Sequence, residues 1–290
     1  MSIIWLVSYP KSGNTWLRTF LTNYLREDEQ PADINSLIGM PIATNRHEFD
    51  ELLGLASSDL RSDEIERYRP LIYNLLAADC RKPFFIKAHD AYTLNTDGQA
   101  LFPRQATTGV IYGIRNPLDV AVSYAHHENK AIDDIIDHIN CNAHTMLEKP
   151  DTLYSQLSQR LLSWSNHVCS WIDDSDLNVH VIKYEDMLQQ PMATFANVIR
   201  FTGLTLDMAR IRRSINFSCF ECLQAQEATH GFAEKQSTAL SFFRQGLSGS
   251  WREHLAHWQI QRIVDAHSQV MDRFGYLLEA QTFLGDFAYS

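Results

Sequence analysis

Residues 9–16, with the sequence YPKSGNTW, bring a lysine, a serine, a glycine and a threonine into one short segment. The segment follows the apolar run IIWLV and precedes apolar residues at helical spacing, so it is predicted to turn from a buried strand into a helix. The first N–H groups of a helix lack intrahelical partners and attract anions. The turn is therefore interpreted as an anion site, although its lysine precedes its glycine, unlike the common phosphate loop GxxxxGK[ST]. An ordinary strand-to-helix turn is the alternative.

Arg115 marks a second candidate anion site. It follows the apolar run GVIYGI and precedes NPLD, which has the features of a helix start: Asn116 as the cap and Pro117 at the first helical position. Ser123 lies about two turns into that helix. A guanidinium is suited to bidentate contact with a phosphate. A surface arginine beside a capped helix is the alternative.

His89 is the candidate base. It follows the apolar run FFIKA, and Lys87, two residues earlier on the predicted strand, points to the same side. An imidazole with its ordinary pKa of about 6.5 removes protons at neutral pH. Group transfer to an O–H or N–H acceptor needs such a base and a positive charge near the departing oxygen, which Lys11 supplies. A structural or solvated histidine is the alternative.

The elements that must position these residues follow from the alternation of apolar runs and helical patterns. Strands are predicted at 3–7, 84–88, 109–114 and 179–184, and helices at 15–26, 62–78, 131–147, 153–173 and 251–274, with one starting at NPLD and more up to about 225. Residues 30–60 and 226–250 are predicted to be irregular. The pattern predicts an α/β fold, a doubly wound parallel sheet flanked by helices in a single domain over residues 1–290. Sites in such sheets form where strands end.

Composition limits the class of partner. The chain has 290 residues and a net charge of -10, from 25 Lys and Arg against 35 Asp and Glu, which argues against nucleic-acid binding. The N-terminus has no basic region, and its apolar run is short for a signal peptide or a membrane span. Five scattered cysteines do not form a disulfide pattern. The expectation is a cytoplasmic protein with no membrane partner.

Two groups of possible ligands are interpreted as packing residues. His138, Cys141 and His144 are spaced as if on one helix face, but zinc needs a fourth ligand, so no metal is predicted. Cys219 and Cys222 are interpreted as too closely spaced for a C-x-x-C redox pair.

The motifs resemble those of the sulfotransferases that use 3′-phosphoadenosine-5′-phosphosulfate (PAPS). YPKSGNTW is similar to their YPKSGTTW loop, with Asn14 in place of a threonine. Residues 112–127 resemble their RNPKDVAVSYYHF segment, and IKAH resembles their KTH segment. FFRQGLSGSW (242–251) is similar to RKGxxGDW, with Gln245 in place of lysine and Ser250 in place of aspartate. Tyr184 in KYEDM and the triplet 218–220 are weaker matches. The resemblance spans about residues 5–252.

The resemblance implies a P-loop-like fold and transfer of a sulfuryl group from PAPS to a hydroxyl or amine of a small-molecule acceptor, with PAP as product. It implies His89 as the base, with Lys11, Lys87 and Ser123 as further catalytic residues. The residues that it implies for cofactor binding are Lys11, Ser12, Gly13, Asn14, Thr15, Trp16, Arg115, Ser123, Tyr184, Ser218, Phe220, Arg244, Gln245 and Gly246. Arg252 is a candidate to compensate for the charge lost at Gln245.

Several points stay open at this stage. Phe49, Tyr92 and Phe232 are proposed to line the acceptor pocket, and the acceptor and the possible formation of homo-oligomers are undetermined. A nucleotide kinase or another phosphoryl transferase is an alternative function, and a non-catalytic nucleotide-binding module is another.

Overall fold

The central sheet sets the frame of the molecule. The computed structural model describes residues 3–26, 28–37, 41–79, 84–148, 152–235 and 239–286. Its strands are β1 (Ile3–Ser8), β2 (Phe84–Ala88), β3 (Thr107–Ile114), β4 (Thr145–Met146), β5 (Gln159–Arg160) and β6 (Val179–Lys183). Four of them form a parallel sheet in the order β2-β1-β3-β6, and β4 pairs with β5 separately.

Helices cover both faces of this sheet. They are α1 (Asn14–Leu25), α2 (Arg46–Leu53), α3 (Ser62–Asp79), α4 (Pro117–Glu128), α5 (Ile132–Asn140), α6 (Trp164–Cys169), α7 (Tyr184–Gln189), α8 (Pro191–Thr202), α9 (Met208–Phe217), α10 (Phe220–His230), α11 (Trp251–His254), α12 (His257–Arg273) and α13 (Leu277–Asp286). This arrangement confirms the predicted doubly wound α/β fold.

Strand β1 explains why a hydrophobic core lies on each face of the sheet. All six of its side chains are buried, and successive residues of a strand point to opposite faces. Trp5 and its alternate neighbours pack with α3, α4, α5, α6 and α12, whereas Ile4 and Leu6 pack with α1, α8 and α9. The sheet is therefore covered on both sides, as the continuous apolar run predicts.

The register brings the predicted site residues to one edge. Val7 pairs with Ala88, and Ser8 pairs with Gly113, so β1, β2 and β3 end level with one another. The turn 9–13, His89 and Arg115 each follow one of these strand ends.

Residues 131–173 differ from the prediction. The expected helix 131–147 ends at Asn140, because Cys141 takes an extended conformation, and β4 follows. The expected helix 153–173 begins only at Trp164, where the Ser163 side chain accepts a hydrogen bond from the Asn166 N–H. Helix α2 is an additional element within the segment 30–60, which was predicted to be irregular.

The C-terminal helix is also divided. Residues 251–274 were predicted as one helix, but Leu255 is extended and Gln259 accepts a hydrogen bond from the Ala256 N–H, which starts α12 afresh. Over the described ranges, no helix is both long and apolar enough to cross a membrane.

Candidate active site

A cavity of about 1390 Å³ opens along the edge where the strands end. It is bordered by every residue predicted to act in catalysis or cofactor binding except Ser12, whose side chain is buried. One end reaches Tyr184 and the start of α10, and the other reaches residues 144–148 and 154–156. Lys11, Lys87 and His89 lie on its wall together. The fold therefore assembles in one place groups that are scattered along the chain.

The turn after β1 has an unusual backbone that requires glycine at one position. Gly13 has φ 90°, and a Cβ there would come within 2.8 Å of both Tyr184 and Met187. Lys11 also has a positive φ, of 68°. The Asn14 side chain donates to the Leu6 carbonyl at 2.9 Å and to Ser8 Oγ at 3.3 Å. Asn14 thus ties the turn back to β1.

The turn and its surroundings hold buried donors that the protein itself leaves unpaired. Ser12 Oγ, Trp16 Nε1 and Arg115 Nε have no hydrogen-bond partner among the described residues. Because buried polar groups are nearly always hydrogen-bonded, such groups beside a cavity are suited to bind a ligand. The donors fit a ligand with anionic oxygens, such as a phosphate.

Arg115 joins the turn to a distant segment. Its Nη1 donates to the Lys11 carbonyl and its Nη2 to the Leu247 carbonyl, each at 2.9 Å. The guanidinium lies 4.2 Å from the centre of the Tyr184 ring. Arg115 is thus fixed by three contacts that use two of its five N–H groups, and its Nε–H has no partner among the described residues.

Asp119 holds residues 248–251 against the cavity. Its carboxylate accepts hydrogen bonds from the N–H groups of Gly249, at 2.7 Å, and Trp251, at 3.1 Å. Arg244, Gln245 and Gly246 border the cavity next to this anchor. No sequence pattern indicated this contact, because NPLD predicts only the start of a helix.

Arg252 does not replace the missing lysine at position 245. It pairs with Glu279, donates to the Gly249 carbonyl and stacks on Trp251, and it does not border the cavity. Its charge is therefore directed away from the predicted phosphate site.

His89 is held in the tautomer that a base requires. Its Nδ1 lies 2.7 Å from the Ser8 carbonyl and donates to it, so Nε2 carries the lone pair. The His89 carbonyl accepts from His167, whose other ring nitrogen contacts the Tyr112 hydroxyl at 2.7 Å. Burial, and next the charge of Lys87, lower the pKa of His89 well below its usual value. The imidazole is therefore neutral at neutral pH.

A buried ion pair fixes the residue after His89. Asp90 receives two hydrogen bonds of 2.8 Å from Arg69 on α3, and both side chains are almost fully enclosed. The Asp90 carbonyl accepts from Trp171 at 2.9 Å. These contacts position the end of β2, and no sequence pattern indicated them.

The lysines of the site have partners within the protein. Lys11 Nζ lies 4.0 Å from the centre of the Phe242 ring. Burial, followed by repulsion from Arg115 and Lys87, lowers the pKa of Lys11 to about 7. Lys87 Nζ donates to Glu234 at 2.7 Å. Glu234 comes from a segment that was predicted to be irregular, and the sequence gave no sign of its place.

The cavity end beyond His89 is lined by polar side chains. The rings of His138 and His144 stack with centres 4.5 Å apart. Burial lowers the pKa of His144 to about 4 and, together with Lys11, that of His127 to about 3. His127 Nδ1 and His144 Nε2 are buried without partners among the described residues. This wall presents neutral imidazoles that donate and accept hydrogen bonds.

The three aromatic residues expected to line the acceptor pocket lie elsewhere. Phe49 borders a separate, smaller cavity. Tyr92 packs against Trp171, and Phe232 packs against Phe242 and Phe243. None of the three borders the large cavity.

The interpretation of Cys219 and Cys222 was wrong about their spacing. Two residues separate them, which is the C-x-x-C spacing, and their Sγ atoms lie 2.9 Å apart at the start of α10. Cys80 lies outside the described residues. Beside the pair, the Ser218 hydroxyl donates to the Ser214 carbonyl at 2.7 Å, and the Phe220 ring packs against Gly246, leaving no space for a side chain there.

Comparisons with known proteins agree with the fold and the motifs. A family model described as "Sulfotransferase domain" matches residues 2–275. Sulfotransferase 2A6 of Rattus norvegicus is 25% identical over 279 residues, covering 93% of this chain and 84% of the rat protein. The 3-beta-hydroxysteroid sulfotransferase of Cavia porcellus is 24% identical over 275 residues, covering 91% and 82%. The structure is similar to mouse sulfotransferase SULT7A1 complexed with PAP, with a TM-score of 0.61 and 20% identity over 93% of this chain and 84% of that one.

Proposed function

The chain belongs to the sulfotransferase family, and we propose that it transfers a sulfuryl group from PAPS to a hydroxyl or amine of a small acceptor, with PAP as the other product. One observation carries the proposal: a single cavity joins the turn 9–13, Arg115 and a neutral His89 whose Nε2 is available as a base. We also propose a cytoplasmic location, since the four described cysteines are free thiols, as is usual in a reducing compartment.

The donor-binding end fits a nucleotide with two anionic groups. Lys11 and the backbone of residues 12–15 suit the 5′ anion, because they combine a cation with the N–H groups at a helix start. Arg115, Ser123 and Arg244 suit the 3′-phosphate. Trp16 and Tyr184 suit the adenine ring of the nucleotide, since their own rings border the same end of the cavity. PAPS, when bound there, supplies the sulfuryl group.

The chain's own groups then complete the reaction. His89 Nε2 accepts the proton of the acceptor as its oxygen or nitrogen attacks, and Nδ1 keeps its bond to the Ser8 carbonyl. Lys11 and Lys87 provide positive charge where negative charge develops on the departing and transferred oxygens. Positioned donors suffice for such an in-line transfer, so no covalent enzyme intermediate is needed.

The acceptor end supports an uncharged or cationic acceptor with several hydrogen-bonding groups. His127 and His144 each carry a ring nitrogen that has no partner in the described part of the chain, and the chain as a whole has a charge of -10. Turnover on a panel of phenols, sugars, amines and guanidines tests this assignment. A preference for sulfated oligosaccharides would contradict it.

Replacing the base tests the proposed reaction. His89→Ala is expected to lower sulfuryl transfer by about a hundredfold or more, the contribution typical of a general base. Its affinity for PAP, measured by calorimetry, should change little, because His89 contacts the acceptor side. His47→Ala serves as the matched control, since the His47 side chain is 82% exposed. A His89→Ala variant that keeps most of its activity would rule out this base.

The same assays separate the alternatives. A phosphoryl transferase would transfer phosphate from ATP in the presence of Mg²⁺ and would lose activity with a chelator. A binding module would bind PAP and yield no sulfated product with any acceptor of the panel. Transfer from PAPS that persists with a chelator is the result expected here.

A further inference from the structure

The carboxylate of Glu234 bridges two buried cations beside the base. One oxygen lies 2.5 Å from Arg18 Nη1 on α1, and the other lies 2.7 Å from Lys87 Nζ at the end of β2. The side chains of Arg18 and Lys87 are only 5% and 10% exposed, and that of Glu234 is 21% exposed. Glu234 therefore connects the helix that follows the anion turn with the strand that carries His89.

The three residues that precede Glu234 are anchored to other parts of the protein. Asn35 donates to the Gly231 carbonyl at 3.0 Å and accepts from the Ala233 N–H at 2.7 Å. Phe232 is buried against Phe242 and Phe243. Because these residues are fixed, the backbone holds the Glu234 side chain in place against Lys87.

The surroundings of Lys87 show what this carboxylate contributes. Arg18 and Lys11 repel the Lys87 ammonium, and the imidazoles of His89 and His127 lie near it. Among the described residues, Glu234 is the acidic group that acts on the Lys87 ammonium. Burial lowers the pKa of Lys87, and Glu234 opposes this effect. Lys87 is the cation nearest in sequence to the base, so its charge state bears directly on the transfer.

We propose that Glu234 is a positioning residue of the transfer site: by bridging Arg18 and Lys87 it holds the Lys87 ammonium, in its charged form, beside His89. This role rests on the proposed function, because it assigns Lys87 to the oxygens of the transferred group. Glu234 itself does not need to touch the donor or the acceptor. Its removal should therefore affect turnover more than donor affinity.

Kinetics of Glu234→Gln test the proposal. The amide keeps the size of the side chain but loses its charge, so kcat is expected to fall about tenfold or more with PAP affinity changed by less than about threefold. The high-pH limit of kcat should move to lower pH, since Lys87 without its carboxylate loses its proton more readily. Glu234→Asp should restore part of kcat and move the limit back.

Glu227→Gln is the matched control. The Glu227 carboxylate accepts from the N–H groups of Phe242 and Phe243, which pack against Phe232 beside Glu234. It does not contact Lys87, and its charge acts on Lys11 instead. If the substitutions acted only by loosening the loop, both variants would show the same pH profile of kcat. That result would contradict a role of Glu234 through Lys87. Faster turnover and tighter PAP binding in Glu234→Gln would also overturn the proposal, because they would make Glu234 an obstacle to the donor.

A measurement that does not use the reaction separates this proposal from the proposed function. The rate at which an amine-reactive reagent labels Lys87, followed by peptide mass spectrometry over a pH series, reports when the ammonium loses its proton. The midpoint is expected at lower pH in Glu234→Gln than in the unaltered chain, and an unmoved midpoint would refute the positioning role. Failure of the unaltered chain to transfer a sulfuryl group would instead refute the proposed function.

Discussion

Lys11 shows how strongly the site changes a single residue. Its ammonium is buried in a cavity that also holds Arg115 and Lys87, and the pKa falls from 10.5 to about 7. Burial is the largest cause, because it removes the water that stabilises the charge, and the two neighbouring cations add to it. Near neutral pH, Lys11 without a bound anion is therefore close to the point where it loses its charge.

This state of Lys11 predicts pH-dependent binding of the product nucleotide. A lysine is charged below its pKa, so the affinity for PAP should fall as the pH rises through about 7. Lys11→Arg keeps its charge throughout this range and should remove most of the fall. Calorimetric titration with PAP from pH 6 to pH 9 checks both variants. Equal pH dependence in the two would show that Lys11 is not the titrating group.

At the scale of elements, the first turn of α4 organises the part of the cavity that Arg115 and Arg244 border. Asn116 caps this helix by accepting from the Leu118 N–H, as the NPLD sequence predicts. Asp119, in the same turn, connects the helix to residues 249–251, because its carboxylate accepts hydrogen bonds from two of their N–H groups. One turn of helix thus fixes both the backbone after Arg115 and the segment that carries Arg244.

Removing the Asp119 carboxylate should release that segment. Asp119→Ala leaves two backbone N–H groups without their acceptor, at a cost of about 1–3 kcal/mol for each that stays buried. We expect PAP affinity to fall about tenfold and the unfolding temperature to decrease by several degrees. Asp134→Ala is the control, since Asp134 occupies the first turn of α5 and is exposed. Equal affinity in the two variants would contradict the anchoring role.

At the scale of the whole molecule, the cavity is built from both ends of the chain. The turn after β1 supplies one wall and residues 242–250 supply another, and Arg115 bonds to Lys11 and Leu247. A ligand bound between these walls contacts parts of the protein that separate when it unfolds. Ligand binding should therefore stabilise the fold as a unit.

The corresponding prediction concerns thermal unfolding. PAP at a hundred times its dissociation constant should stabilise the folded protein by about 2.7 kcal/mol. For a chain of this size the unfolding temperature should rise by roughly 4–5 °C. Arg115→Met should lose most of this rise at the same PAP concentration, because it removes the cation that joins the two walls. A rise of equal size in the variant would show that Arg115 does not take part in binding.

The sequence by itself determined the parts whose signals are local. The apolar run of β1, the turn YPKSGNTW and the start of α4 are each encoded within about ten residues, because strand burial, turn geometry and helix capping act between near neighbours. These segments carried the fold class and the family resemblance. They also included several of the residues that border the cavity, although the roles given to those residues stay predictions.

The tertiary structure decided the contacts between residues far apart in the chain. Glu234 meets Lys87 across 147 positions, and Asp119 meets Trp251 across 132. Residues 144–148 border the cavity after α5 ends at Asn140, and the aromatic residues chosen from the sequence do not border it. Such contacts leave no periodic or local pattern, because they depend on where the folded sheet and its loops carry each side chain.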